Sequence, residues 1–100
     1  MEAGETMLEA ETMVVNRLGL HARPSAKLTR LAGQFQAEIW LSCKGRRINA
    51  KSIMGVMMLA AAKGSTLLVE AEGPDEAAAL VAVCELFAAG FDEDSDGESQ

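Results

Sequence analysis

Apolar and polar residues alternate from Leu8 to Val15, placing Leu8, Ala10, Thr12 and Val14 on one face and Glu9 and Glu11 on the other. Period-two alternation of this kind predicts a half-buried strand. Asn16 to Leu20, containing Gly19, breaks the pattern, and from Ala22 the period changes. Leu28, Leu31, Ala32 and Phe35 form the i, i+3, i+4, i+7 stripe of a helix that begins right after His21. Pro24 is tolerated in its first turn, and Gly33 is suited to cap its C-terminus. A second strand is predicted over Ala37–Cys43, with Ala37, Ile39, Leu41 and Cys43 on one face and Trp40 on the other. Lys44-Gly45 then reads as a hairpin turn into Arg46–Ala50; lysine suits positive φ poorly, so a longer or bulged turn is an alternative. Ser52 is placed to cap a short helix over Ile53–Leu59, in which Gly55 costs about 1 kcal/mol relative to alanine. Lys63-Gly64 ends that helix, Thr66–Glu72 alternates as a fourth strand, and Gly73-Pro74-Asp75-Glu76 starts a last helix with acids at its positive end. That helix carries Ala79, Leu80, Val83 and Phe87 and stops near Gly90.

The predicted order is β-α-β-β-α-β-α. Strands with one apolar face and helices with one apolar stripe are satisfied by a two-layer α+β open-faced sandwich. Its four-stranded antiparallel sheet carries three helices on one face and leaves the other face wet. Residues 8–91 form this domain, residues 1–7 a flexible N-terminal extension, and residues 92–100, DEDSDGESQ, an acidic tail expected to be disordered for want of apolar groups.

Composition narrows the function classes. One hundred residues, 49% apolar and 24% charged, suit one globular domain. No window approaches the roughly 18 uncharged apolar residues of a membrane span, and the acidic N-terminus does not read as a signal peptide, so a cytoplasmic protein is expected. Cys43 and Cys84 have no CxxC or Cys/His partners, which supports neither a disulfide framework nor a zinc site; with His21 the only histidine, no metal and no cofactor are expected. The net charge of −6 hides a segregation. Residues 1–15 carry four acids and no base, residues 70–100 carry ten acids and no base, and residues 16–69 carry nine bases against Glu38 alone. The folded middle therefore presents a cationic face to something anionic, although the acidic flanks would repel a nucleic-acid backbone.

A lone histidine in a loop is usually an ordinary surface residue, but His21 falls at a helix N-cap whose first turn holds Arg23 and Pro24. The imidazole then faces backbone N–H donors and the positive end of the helix dipole, which favours an unprotonated, nucleophilic ring nitrogen. A phosphoryl group on that nitrogen would accept hydrogen bonds from the helix N–H groups and from Arg23, while Pro24 fixes φ and removes one donor. The chain has no nearby carboxylate partner and no Gly-rich nucleotide loop, so the group would arrive already activated. Ser52 needs no role beyond its cap. Ile53 and Val56 fit burial against the sheet, whereas Met54 and Met57 are candidates for an exposed, adaptable partner surface.

The strings Gly19-Leu20-His21-Ala22-Arg23-Pro24 and Lys51-Ser52-Ile53-Met54-Gly55-Val56-Met57, with their separation and the element order, resemble the two signatures of the HPr family. HPr proteins are the histidine phosphocarriers of the bacterial phosphoenolpyruvate:sugar phosphotransferase system. The resemblance covers about residues 8–90. It implies that His21 is transiently phosphorylated at Nδ1 (the pros nitrogen) by enzyme I and passes the group to IIA domains of sugar permeases. Arg23 would stabilise the phosphohistidine, and Ala22 would supply a helix N–H. It also implies that Ser52 is a regulatory serine phosphorylated by HPr kinase/phosphorylase, with Ile53, Met54 and Met57 in the docking surface. Lys27 and Arg30 either meet acidic partner surfaces or form a solvated helix face. On this reading the chain is a phosphocarrier rather than an enzyme, a monomer that exposes one site to successive partners. Two alternatives stay open: a phosphorylation-dependent regulator in a nitrogen branch or in carbon-catabolite control, and a basic-faced module binding nucleic acid or a metabolite.

Overall fold

A computed structural model describes residues 7–92, so the expectations for residues 1–6 and 93–100 lie outside the described residues. The elements are β1 (Leu8–Met13), α1 (Ala22–Ala32), β2 (Glu38–Cys43), β3 (Arg46–Asn49), α2 (Ile53–Leu59), β4 (Thr66–Glu72) and α3 (Glu76–Ala88), followed by a 3-10 turn (Gly90–Asp92). The sheet order is β1-β4-β2-β3 with every neighbouring pair antiparallel. Four antiparallel strands with three helices in the order β-α-β-β-α-β-α is the architecture expected from the periodicities.

The alternation dictates which side is covered. Ile39, Leu41 and Cys43 of β2 and Leu67, Val69 and Ala71 of β4 are buried, as are Leu28, Ala32, Val56, Leu59, Ala79, Val83 and Phe87 on the helices. Each large side chain buried here stabilises the fold by roughly 1.5–3 kcal/mol. Phe87 meets Phe91 edge to face at 5.0 Å between ring centroids, closing the end of the core. On the opposite face Arg47 lies 4.4 Å over the Trp40 ring and its Nε donates to Glu70 Oε1 at 3.0 Å, so the half-buried tryptophan is covered by an ion-paired guanidinium.

Local details depart from the sequence reading. Lys44 does take positive φ, at 52°, followed by Gly45 at 82°, with Cys43 paired to Arg46. The turn is thus a tight two-residue loop of the type that matches strand twist, neither longer nor bulged. The α1 stripe stops at Ala32: Gly33 caps the helix with φ −66°, without using glycine's left-handed freedom, and Phe35 packs on the core from the following turn. Ile53 is 41% exposed although burial suited it, while Val56 is fully buried. Asp92, assigned from sequence to the tail, closes the 3-10 turn with its N–H on Ala89 O at 3.1 Å. Asp75 does not cap its own helix. Its carboxylate reaches back to accept from Gln36 N at 2.9 Å and Ala37 N at 2.8 Å, and these backbone donors hold its pKa below the ordinary value. Glu76 instead takes the Gly73 N–H at 2.9 Å.

Candidate functional site

The loop from Val14 to His21 is held by backbone groups that a sheet would otherwise leave unpaired. Gly19 has φ +71°, and a Cβ built on it would lie 2.6 Å from the Ala61 carbonyl oxygen, so only glycine fits there. The neighbouring Leu20 N–H donates to that same oxygen at 2.9 Å, tying the loop to the segment after α2. Two buried polar side chains complete the clamp: Asn16 Nδ2 donates to Gly19 O at 2.8 Å, and Ser25 Oγ donates to Leu20 O at 3.2 Å. Neither role was foreseen from sequence. A signal existed for Ser25, which occupies the same stripe as Leu28 and Ala32 and is therefore a polar residue on a buried face.

His21 is the N-cap of α1 with extended backbone, φ −82° and ψ −166°. Its N–H donates to Gly19 O at 3.0 Å, and its carbonyl accepts from Ser25 N at 3.0 Å as the first bond of the helix. The N–H groups of Ala22 and Arg23 lie ahead of that bond and face outward along the dipole, whereas Pro24 contributes none and is buried. The His21 side chain makes no cap hydrogen bond, is half-buried, and lines a shallow open depression with Leu18, Leu20, Met57, Ala60 and Ala61. Arg23 is exposed beside it in the first turn, and that turn contains no acid to repel an anion. Among the described residues no group of three or more His, Cys, Asp or Glu side chains could hold a metal ion, and no helix is long and apolar enough to cross a membrane.

Ser52 caps α2 as its sequence position requires. Its Oγ accepts from Gly55 N at 3.0 Å and stays exposed, while Lys51 Nζ donates to Phe35 O at 2.9 Å. Met54, Met57 and Met58 are all exposed, at 69%, 43% and 61%, and Leu18 at 72%. Because Met57 shares the depression with His21, the apolar surface of α2 runs into the histidine site. Leu18 and Met58 belong to this surface and were not singled out from sequence, since exposure inside an apolar run carries no signature of its own. Lys27 is not a solvated charge: it is half-buried, and its Nζ donates to Phe91 O at 2.7 Å, joining α1 to the C-terminal turn. Arg30 remains exposed in the last turn of α1, where a cation suits the dipole.

Comparison with known proteins bears on this geometry. A family model described as the PTS HPr component phosphorylation site matches residues 8–89. The chain is 55% identical over 87 residues to the phosphocarrier protein HPr of Cupriavidus necator, covering 87% of this chain and 98% of that one. It is 48% identical over 82 residues to the phosphocarrier protein NPr of Escherichia coli K12, covering 81% and 91%. The crystal structure of an HPr from Bacillus anthracis superposes with a TM-score of 0.79 at 38% identity, covering 81% of this chain and 96% of that one.

Proposed function

The chain belongs to the PTS HPr family of phosphocarriers, and from that premise we propose that it carries a phosphoryl group on His21 Nδ1 between enzyme I and the IIA domains of sugar permeases. The observation that carries this reading is a half-buried imidazole at the N-cap of a helix whose first turn has outward N–H groups, an arginine and no acid. A neutral ring nitrogen attacks phosphorus, the bond from phosphorus to the donor's leaving atom breaks as a new N–P bond forms, and the electron pair of the broken bond returns to the donor. Ala22 N–H and Arg23 hold the phosphoryl oxygens, and Pro24 pins the turn that aims them. The chain supplies an acceptor and an electrostatic cradle and leaves activation to its donor, which makes it a carrier and not an enzyme.

Ser52 is the proposed regulatory serine, with HPr kinase/phosphorylase as its modifying enzyme. A phosphate on Oγ would sit at the positive end of α2 and add charge beside Ile53, Met54 and Met57, the proposed docking surface, so its effect falls on partners more than on the fold. Arg30 contributes a peripheral charge to that docking, while the Lys27 amine, engaged with Phe91, contributes less than sequence suggested. The protein is proposed to act as a cytoplasmic monomer. A second reading keeps the chemistry and changes the recipient to a regulatory partner; the chain is also 48% identical to a relative named phosphocarrier protein NPr.

Incubation with phosphoenolpyruvate, magnesium and a bacterial enzyme I should add one acid-labile phosphate by mass spectrometry, absent in His21→Ala. No phosphate, with a control HPr phosphorylated in parallel, overturns the reading. Offering the phosphorylated protein to sugar IIA domains then separates the two recipients.

A further inference from the structure

The β2–β3 turn sets an arginine on the covered side of the sheet. Cys43 and Arg46 are directly paired across the two-residue turn, and opposed residues of an antiparallel pair share a face. Arg46 therefore stands with the buried Cys43 on the helix side, while Arg47 lies over Trp40 on the open side. Its Nη1 donates to Met58 O at 3.1 Å, near the C-terminal end of α2, and that bond uses one of the guanidinium's five N–H donors. Between turn and helix lies an open cleft of about 290 Å³, lined by Lys44 as well as Arg46, with Cys43 and Ser65 as neutral polar groups and Met58 and Leu59 as apolar wall. Among the described residues no hydrogen bond or ion pair engages the Lys44 amine, and no residue from 39 to 69 is acidic. Two full cationic charges outweigh the roughly half charge at the negative end of α2, so the cleft is net positive.

We propose that this cleft binds a small phosphate monoester, with Lys44 and Arg46 on the phosphate and the apolar wall against the organic body. A phosphate monoester with its second pKa near 6 is close to dianionic at neutral pH, which matches two cations, and a guanidinium fork suits its oxygens. Size points to the body. At about 30 Å³ per water-sized unit the cleft holds roughly ten non-hydrogen atoms, about twice a bare phosphate, which leaves room for about three carbons with their hydroxyls. Ala60 and Ala61 wall both this cleft and the depression lined by His21, and the Ala61 carbonyl accepts the Leu20 N–H. An occupant is thus linked to the loop that carries His21 through one peptide. Neither the binding nor the link depends on the phosphocarrier reading.

The test is an amide NMR titration of the full-length chain at neutral pH with glycerol 3-phosphate, beside inorganic phosphate and glycerol. Glycerol 3-phosphate should bind with a Kd on the order of millimolar and shift amides within residues 43–46 and 58–65, with the Leu20 amide moving through its bond to Ala61 O. Inorganic phosphate should bind about three- to tenfold more weakly, and glycerol should leave the spectrum unchanged. Lys44→Asn combined with Arg46→Gln should weaken binding of the ester about tenfold; asparagine tolerates the positive φ at 44, and glutamine can still donate to Met58 O. In the unsubstituted chain, alkylation of Cys43 by iodoacetamide should slow about sixfold at a ligand concentration about five times Kd, with Cys84, which lines a separate groove beside Leu80 and Val81, unaffected. Shifts centred on residues 21–23, undiminished binding by the double variant, or an unprotected Cys43 overturn the site. Inorganic phosphate binding as tightly as the ester overturns the monoester assignment, and a Leu20 amide that stays still while the cleft amides move overturns the link to the histidine loop.

Discussion

Gly19→Ala probes the link between the fold and the histidine site. At φ +71° an alanine bears a left-handed cost of about 1–2 kcal/mol, and its Cβ would stand 2.6 Å from Ala61 O and 3.1 Å from Ala62 Cα. Both neighbours are backbone, so relief requires the loop and the segment after α2 to separate. That separation weakens the 2.9 Å bond from Leu20 N to Ala61 O, worth about 0.5–1.5 kcal/mol. Alanine also stiffens the unfolded chain, which offsets about 0.4–1 kcal/mol. Gly45→Ala is the matched control: its φ is +82°, and nothing lies within 4 Å of a built Cβ. The left-handed and unfolded-state contributions are shared, so the difference between the variants isolates the close approach, at about 1 kcal/mol or more. Urea unfolding should place the Gly19→Ala midpoint about 0.5–1 M below that of Gly45→Ala, given a slope of about 1–2 kcal/mol per molar. Phosphoryl acceptance should fall in the first variant and hold in the second. Midpoints agreeing within about 0.2 M would refute the claim that the Ala61 carbonyl dictates glycine at position 19.

Ile39→Val, at a fully buried site, should cost about 0.5–1.5 kcal/mol by urea unfolding, whereas Ile53→Val, at a site 41% exposed, should stay within about 0.5 kcal/mol; equal losses would contradict the assignment of Ile53 to the surface. Ser52→Ala removes the acceptor of the Gly55 N–H and should cost about 1 kcal/mol, with Ser52→Asp recovering most of it because a carboxylate both accepts that bond and suits the dipole; no recovery would show that the cap is not the source of the loss. Asp75→Asn should destabilise at neutral pH. The folded-state pKa of Asp75 lies below its ordinary 3.8, so its contribution is complete above that value and is lost as pH falls through the folded pKa. Urea midpoints of the two proteins should therefore converge as pH falls through the folded pKa of Asp75, and a gap that persists once the carboxyl is protonated would assign the loss to packing.

What sequence made legible follows from the range of the interactions involved. Strand and helix faces are set by periods of two and about 3.6 residues, which is why Leu41, Val69, Val56 and Val83 could be placed in the core before any coordinates. His21 and Ser52 were legible because a helix N-cap is a local arrangement. The misses are contacts between segments distant in sequence. Asp75 reads as an acid at the positive end of a helix, and only the fold brings Gln36 and Ala37 to its carboxylate. Lys27 reads as a surface charge on an amphipathic helix, and only the C-terminal turn gives it Phe91 O. Lys44 at φ 52° shows the converse, a local preference overridden because Cys43 and Arg46 must pair across two residues.

The same division bears on how a domain this small would keep His21, the proposed phosphoryl acceptor, open yet aimed. An exposed imidazole on an ordinary loop would sample many orientations, and each would weaken a transfer that depends on alignment. Here rigidity is placed one layer below the chemistry. Asn16 and Ser25 are fully buried and bond to the carbonyls of Gly19 and Leu20, and the Ala61 carbonyl fixes Leu20 from the far side. Burying such polar groups would be unfavourable if they failed to find these partners, so the loop is held to one arrangement. The adaptable residues, Leu18, Met54, Met57 and Met58, lie on the outer surface, where different partners can be met by different rotamers. Fixing the backbone of His21 while leaving its surroundings soft suits the proposed carrier role, in which one nitrogen would be presented in one geometry to proteins of unlike shape.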